Sequence, residues 1–256
     1  MKSTRSARPR TATLVSVLVV ATAILAYALT GSATERLAEV VIEIAPTKQG
    51  LFLIQTKDAE RRLDDGPFGP LTGKAIEKVD VQALEAYLEA DPFVARAEVY
   101  ARYDGTVHVT LEQYEPILRV HHRGGADYYV SPEGTVLPLS KHAVARVPVL
   151  TGEVPAFEEA ARDSLPIAAH ALAAALAADE LLAPLVEQID LHDGEYTLIP
   201  KLGTARFVLG SLDELDDKLH RLRTFVFGVF PEHGWDYYGR VDLRFDKQAI
   251  GTQPSA

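Results

Sequence analysis

Cysteine is absent from the 256-residue chain, which excludes a disulfide framework and any redox or metal chemistry that needs a thiolate. Basic charge is scarce once the first thirty residues are set aside. Lys2, Arg5, Arg8 and Arg10 stand there with no acid, leaving 22 bases against 36 acids, a net of −14. A body that acidic repels phosphate backbones, so nucleic-acid binding is excluded. A glycine-rich phosphate loop and a nucleophile elbow are both missing. No nucleophile, base and charge stabiliser stand in a convergent pattern, so no catalytic, metal-ligating or cofactor-binding residues are expected and the chain reads as a non-enzyme.

The residues that come nearest to chemistry have plainer explanations. His121 and His122 precede Gly124-Gly125 in a polar stretch; neighbours on a strand face opposite sides, and a solvated loop accounts for both. His192-Asp193 resembles an oriented imidazole, yet Asp193-Gly194 is a hairpin turn. His233-Gly234-Trp235 reads as a loop that packs its aromatic on a sheet. Asp213, Glu214, Asp216 and Asp217 point in different directions if helical, which suits a helix start better than a cation site.

What the chain does contain begins with an uncharged run from Leu14 to Leu29. With its threonine flanks it reaches the roughly 20 residues needed to cross a bilayer. All four nearby bases precede it and Glu35 follows it, so residues 1–13 are expected in the cytoplasm, 14–30 in the membrane and the rest outside. A cleaved secretory signal is the alternative, since Gly31-Ser32-Ala33 is a small-residue site. The length of the run and the poor match to A-x-A favour an uncleaved anchor.

Beyond the anchor, Val40 to Ala45 reads as a strand and Lys57 to Leu63 as a short helix ended by Gly66-Pro67. Asp80 is an N-cap for a helix with Val81, Leu84, Tyr87 and Leu88 on one face, stopped at Asp91-Pro92. Val99, Ala101 and Tyr103 then alternate with other side chains, as do Val107, Val109 and Leu111 after Asp104-Gly105, which marks a hairpin. Strand, helix, helix, strand, strand gives a small sheet with two helices on its inner face, the order of a POTRA module.

The second half opens with a hairpin over Tyr128 to Pro138 about a turn at Pro132 to Gly134, followed by Val147 to Gly152. An alanine-rich helix from Pro166 to Ala178 precedes a meander of Val186 to His192, Tyr196 to Pro200 and Ala205 to Leu209. Ser211 and Glu214 suggest a capping box for a helix striped by Leu212, Leu215, Leu219, Leu222 and Val226. Tyr237 to Ala249, with Val241, Leu243 and Phe245 at period two, reads as one terminal strand.

Several of these segments together resemble the FtsQ/DivIB family of bacterial division proteins, in a Bacteroidota-like form. The carriers are Asp91-Pro92-Phe93-Val94 before the first hairpin, Tyr114-Glu115-Pro116-Ile117-Leu118-Arg119 where the first module ends, Val147-Pro148-Val149-Leu150-Thr151-Gly152, Leu198 to Gly203 and Val241 to Gln248. The resemblance spans about residues 40–252. It implies an α+β protein with a single N-terminal transmembrane helix, a POTRA-like module over 38–119, a mixed β domain with helices on one face over 120–252, and a tail at 253–256. It also implies a scaffold at the division septum, in the inner membrane with a periplasmic body. Its expected partners are FtsB-like and FtsL-like single-pass coiled-coil proteins and, indirectly, the septal peptidoglycan synthase complex. Strand addition to the C-terminal edge is the expected mode, because an edge strand leaves backbone donors and acceptors unpaired. Val241, Leu243, Arg244, Phe245 and Lys247 are the expected binding residues, and the resemblance itself carries over onto Arg244 and Phe245. The competing expectation is a POTRA-bearing accessory of outer-membrane assembly or secretion, although no room remains for membrane β-strands.

Overall fold

In a computed structural model the described residues are 22, 36–102, 104–163 and 167–254. The expected anchor at 14–30, apart from residue 22, and the tail at 1–13 lie outside them. No described helix is long and apolar enough to cross a membrane.

The first module follows the order read from the pattern: β1 (Glu39–Ala45), α1 (Thr56–Asp65), a 3-10 turn (Ile76–Lys78), α2 (Val81–Glu89), β2 (Val94–Ala101) and β3 (Thr106–Gln113). Asp80 lies in extended backbone and accepts the Ala83 N–H at 3.0 Å, which satisfies one of the orphan donors at the start of α2. The sheet order is β1-β3-β2, with β1 parallel and β2 antiparallel to β3. Val107, Val109 and Leu111 point inward from the central strand and meet Ala59 and Leu63 of α1 and Leu84 and Leu88 of α2 in one buried cluster. Period-two and helical stripes thus converge on a single core, which is what fixes the register.

The second module is one mixed sheet. Its strands are β4 (Leu118–Val120), β5 (Tyr128–Val130), β6 (Val136–Pro138), β7 (Val149–Gly152), β8 (Val186–His192), β9 (Glu195–Pro200), β10 (Arg206–Gly210), β11 (Arg240–Asp242) and β12 (Ile250–Thr252), in the spatial order β12-β11-β10-β9-β8-β7-β4-β5-β6. Its helices are α3 (Phe157–Asp163), α4 (Ile167–Ala178), α5 (Leu215–Gly228) and the short α6 (Phe230–His233). Leu172 and Leu176 of α4 and Leu219, Leu222 and Val226 of α5 share a core with Ile189, Leu198, Phe207 and Val241 of the sheet. Because β4 pairs with β5 and β7, Leu118 and Arg119 belong to this sheet, and the junction falls ahead of the 119/120 boundary suggested by sequence.

Two expectations change at α5 and after it. The capping box does not form: Glu214 sits in left-handed backbone (φ 54°) without a side-chain cap, while Ser211 Oγ donates to Asp213 Oδ2. The buried Lys218 donates instead to the Ser211 carbonyl at 2.7 Å, and that tie holds the turn that the box would have held. The terminal strand is two strands. The chain leaves the sheet after Leu243, turns through Lys247 at φ 57° and returns as β12.

The modules are clasped. Gln113 accepts the Leu53 and Ile54 N–H groups and donates to the Ala45 carbonyl, which shapes the β1–α1 loop. The β6–β7 segment then grips that loop: Ser140 Oγ donates to the Leu53 carbonyl at 2.6 Å, and Asp58 meets Lys141 at 3.0 Å and His142 at 2.5 Å. Leu51 of the first module packs on Tyr129 and Leu137 of the second.

Candidate partner-binding edge

The C-terminal border of the large sheet is built by a crossover. After β10 the chain runs through α5 and comes back as β11 parallel to β10, with Phe207 opposite Val241. Arg206 donates to the Gly239 carbonyl at 3.0 Å and Leu243 to the Val208 carbonyl at 2.9 Å. Between these two bonds Val241 turns its backbone to β10, and Arg240 and Asp242 turn theirs to β12, opposite Thr252 and Ile250, while the Gly239 N–H donates to the Thr252 carbonyl at 2.9 Å. Gly251, opposite Val241, is left with its N–H and C=O on the open side. An edge of this kind is a template for another chain.

The side-chain face of β12 is set by close packing. A β-carbon on Gly251 would come 2.5 Å from Tyr238 Cε1 and 2.9 Å from Phe225 Cζ. The strand is thus seated on the aromatic cluster of Phe225, Phe230, Trp235 and Tyr238. By alternation Ile250 and Thr252 face the other way. Ile250 is 39% exposed, and Phe245 in the preceding loop is 45% exposed.

These positions revise the residue set expected from sequence. Val241 and Leu243 are fully buried in the core: Val241 lies on β11, which is flanked by β10 and β12 and is not the border, and Leu243 follows that strand with its N–H bonded to β10. Arg244 is a clamp: its guanidinium donates twice to Asp242, at 3.0 and 2.8 Å, and reaches Glu195 at 3.4 Å. Its stem lies over Gly210, where a β-carbon would meet Arg244 Cγ and Cδ at 2.8 Å. Burial pushes the Asp242 carboxyl up, but hydrogen bonds from Arg244 and Arg240 outweigh it and hold the group at about 2. Phe245 and Lys247 remain at the surface, on the loop between the two strands. Ile250, Gly251 and Thr252, which form the border, escape a periodicity reading because three residues are too few to show a period. The one sequence signal was the Asp246-Lys247 break in a strand-like run.

The other borders are closed by recognisable devices. On β2, the Ala97 and Val99 N–H groups are taken by Glu89 Oε1 at 3.0 Å and Glu85 Oε1 at 2.8 Å, both from α2. On β1, Glu39 and Glu43 are exposed, and edge charge disfavours strand pairing. On β6, Pro138 lacks a donor and Leu137 is buried under Leu51.

The histidines are engaged separately. His121 Nδ1 lies 2.8 Å from Asp127, which also binds Arg119, and His122 Nδ1 lies 3.0 Å from the Val154 carbonyl. His192 and Asp193 close the β8–β9 hairpin, with Asp193 and Gly194 both at positive φ. His233 stacks on Tyr237 with ring centroids 4.8 Å apart. Among the described residues no three His, Asp or Glu side chains are grouped to hold a metal.

Two family models match the chain. Residues 115–252 match FtsQ/DivIB, C-terminal related, and residues 38–112 match the POTRA-like domain. No curated protein matches it.

Proposed function

Because this chain belongs to the FtsQ/DivIB family of cell-division proteins, we propose that it is a non-enzymatic scaffold of the septum. In this reading residues 14–30 hold it in the inner membrane, with the N-terminus in the cytoplasm and both modules in the periplasm. There it binds FtsB-like and FtsL-like single-pass partners, and so helps recruit and control septal peptidoglycan synthesis.

The observation that carries the reading is β12, a border strand with outward backbone groups inside the family-matched region. A partner segment added alongside it gains main-chain hydrogen bonds, while side chains at alternate positions set specificity. Ile250 and Phe245 offer the exposed apolar surface there, and Lys247 offers charge. The sequence-based set is thereby narrowed, with Arg244 supporting the loop and Val241 and Leu243 supporting the strand.

The test is copurification of the full chain with an FtsB-like partner. Ile250→Asp and Phe245→Ala are expected to cut capture by at least tenfold with unchanged melting. Full capture by both folded variants would remove β12 from the reading.

A further inference from the structure

We propose that the seam between the two modules is a second docking site, for a partner segment that carries an apolar side chain beside a carboxylate. A hollow of about 230 Å³ lies there. Its apolar lining, Ile117, Val147, Pro148, Leu176 and Ala183, comes from the second module, and Lys48 and Gln49 of the β1–α1 loop close it from the first. An apolar cavity of roughly 150 Å³ takes up benzene, whereas small-molecule sites start near 300 Å³. The space therefore suits one or two side chains of a peptide.

The rim selects the charge of that peptide. Lys48 and Arg146 are both exposed there, and no carboxylate lies within ion-pair distance of either side chain among the described residues. Glu115 also lines the hollow; its Oε2 accepts the Lys48 backbone N–H at 2.7 Å, and its negative charge stands against the two positive ones. Gln49 is equally committed: its side chain accepts the Arg146 N–H at 3.0 Å and donates to the Arg146 carbonyl at 3.4 Å. This brace holds both cations at the mouth, and neither charged end is tied up in an ion pair among the described residues. In a chain of net charge −10, a rim of two cations and one carboxylate is net positive, and over an apolar hollow it is complementary to an acidic, apolar segment. The walls come from both modules, so binding requires the clasp to be closed.

The test uses the full chain in nanodiscs and two fluorescein-labelled peptides, acetyl-Leu-Glu-Leu-Glu-amide and acetyl-Leu-Lys-Leu-Lys-amide, followed by anisotropy. The acidic peptide is expected to bind saturably and the basic one at least tenfold more weakly. Lys48→Glu with Arg146→Glu should weaken the acidic peptide at least tenfold, since only side chains change and the backbone brace stays. Ala183→Trp, which fills the hollow, should do the same, and Ile250→Asp should leave binding unchanged. Equal binding of the two peptides, no saturable binding of either, or unchanged binding by the folded charge-reversed variant would overturn the proposal.

Discussion

Gly251 lies so close to Tyr238 that a β-carbon there would fall 2.5 Å from the ring. The border strand can sit on its aromatic bed only with glycine at that position. Gly251→Val should lift β12 from β11, with overpacking of this kind costing about 1–3 kcal/mol. Capture of an FtsB-like partner should fall further than that modest loss of stability explains. Paired melting and copurification check this, and normal capture by the variant would separate the strand from partner binding.

The first module invites the opposite experiment. Glu85 and Glu89 reach from α2 to two backbone donors of β2, so their removal exposes unpaired N–H groups on a border strand. Hydrogen bonds to charged groups contribute about 1.5–3 kcal/mol each. Glu85→Ala with Glu89→Ala should therefore lower stability by a few kcal/mol and produce concentration-dependent self-association, read by analytical ultracentrifugation. A variant that stays monomeric would show that the edge is protected by something other than these carboxylates.

How far the sequence carried can be seen at particular residues. Val107, Val109 and Leu111 announced their strand because an amphipathic period of two needs only one buried face. Asp80 announced its helix because capping is local chemistry. Ser211 and Glu214 misled: the same two residue types satisfy the capping motif, yet Lys218 reached the Ser211 carbonyl from the next turn and made a different closure. Phe245 misled in another way. It continues the period of Val241 and Leu243, but the chain leaves the sheet between 243 and 245, and beyond the Asp246-Lys247 break it takes the tertiary pairing with β12 to reveal that. The clasp of Asp58 on Lys141 and His142 joins residues more than eighty positions apart, beyond any local pattern.

Because Val241 is interior, a proline there tests the fold and not the border. Val241→Pro removes a backbone donor between β10 and β11 and forces a ring into the core, so loss of about 3 kcal/mol or more is expected. Its circular dichroism and melting should both change. Ile250→Asp should leave both intact, since its side chain is at the surface. If the two variants melt alike, the assignment of interior and border strands fails.

Asp242 gives the second module an acid-sensitive joint. Its carboxyl is depressed from 3.8 to about 2 in the folded protein by Arg244 and Arg240, against the upward push of burial. A depressed carboxyl contributes stability that is present above its unfolded value and is lost as pH falls through the folded one. The window here runs from about pH 4 down to about pH 2. At 1.36 kcal/mol per unit the contribution at neutral pH is roughly 2 kcal/mol. Asp242→Asn should thus be less stable than the parent by about that amount at pH 7, and the gap should close progressively below pH 4. Urea titrations at pH 7, 4 and 2.5 measure it. A gap that persists unchanged at pH 2.5 would mean that shape complementarity at this site, and not the charge on Asp242, holds the Arg244 clamp over Gly210.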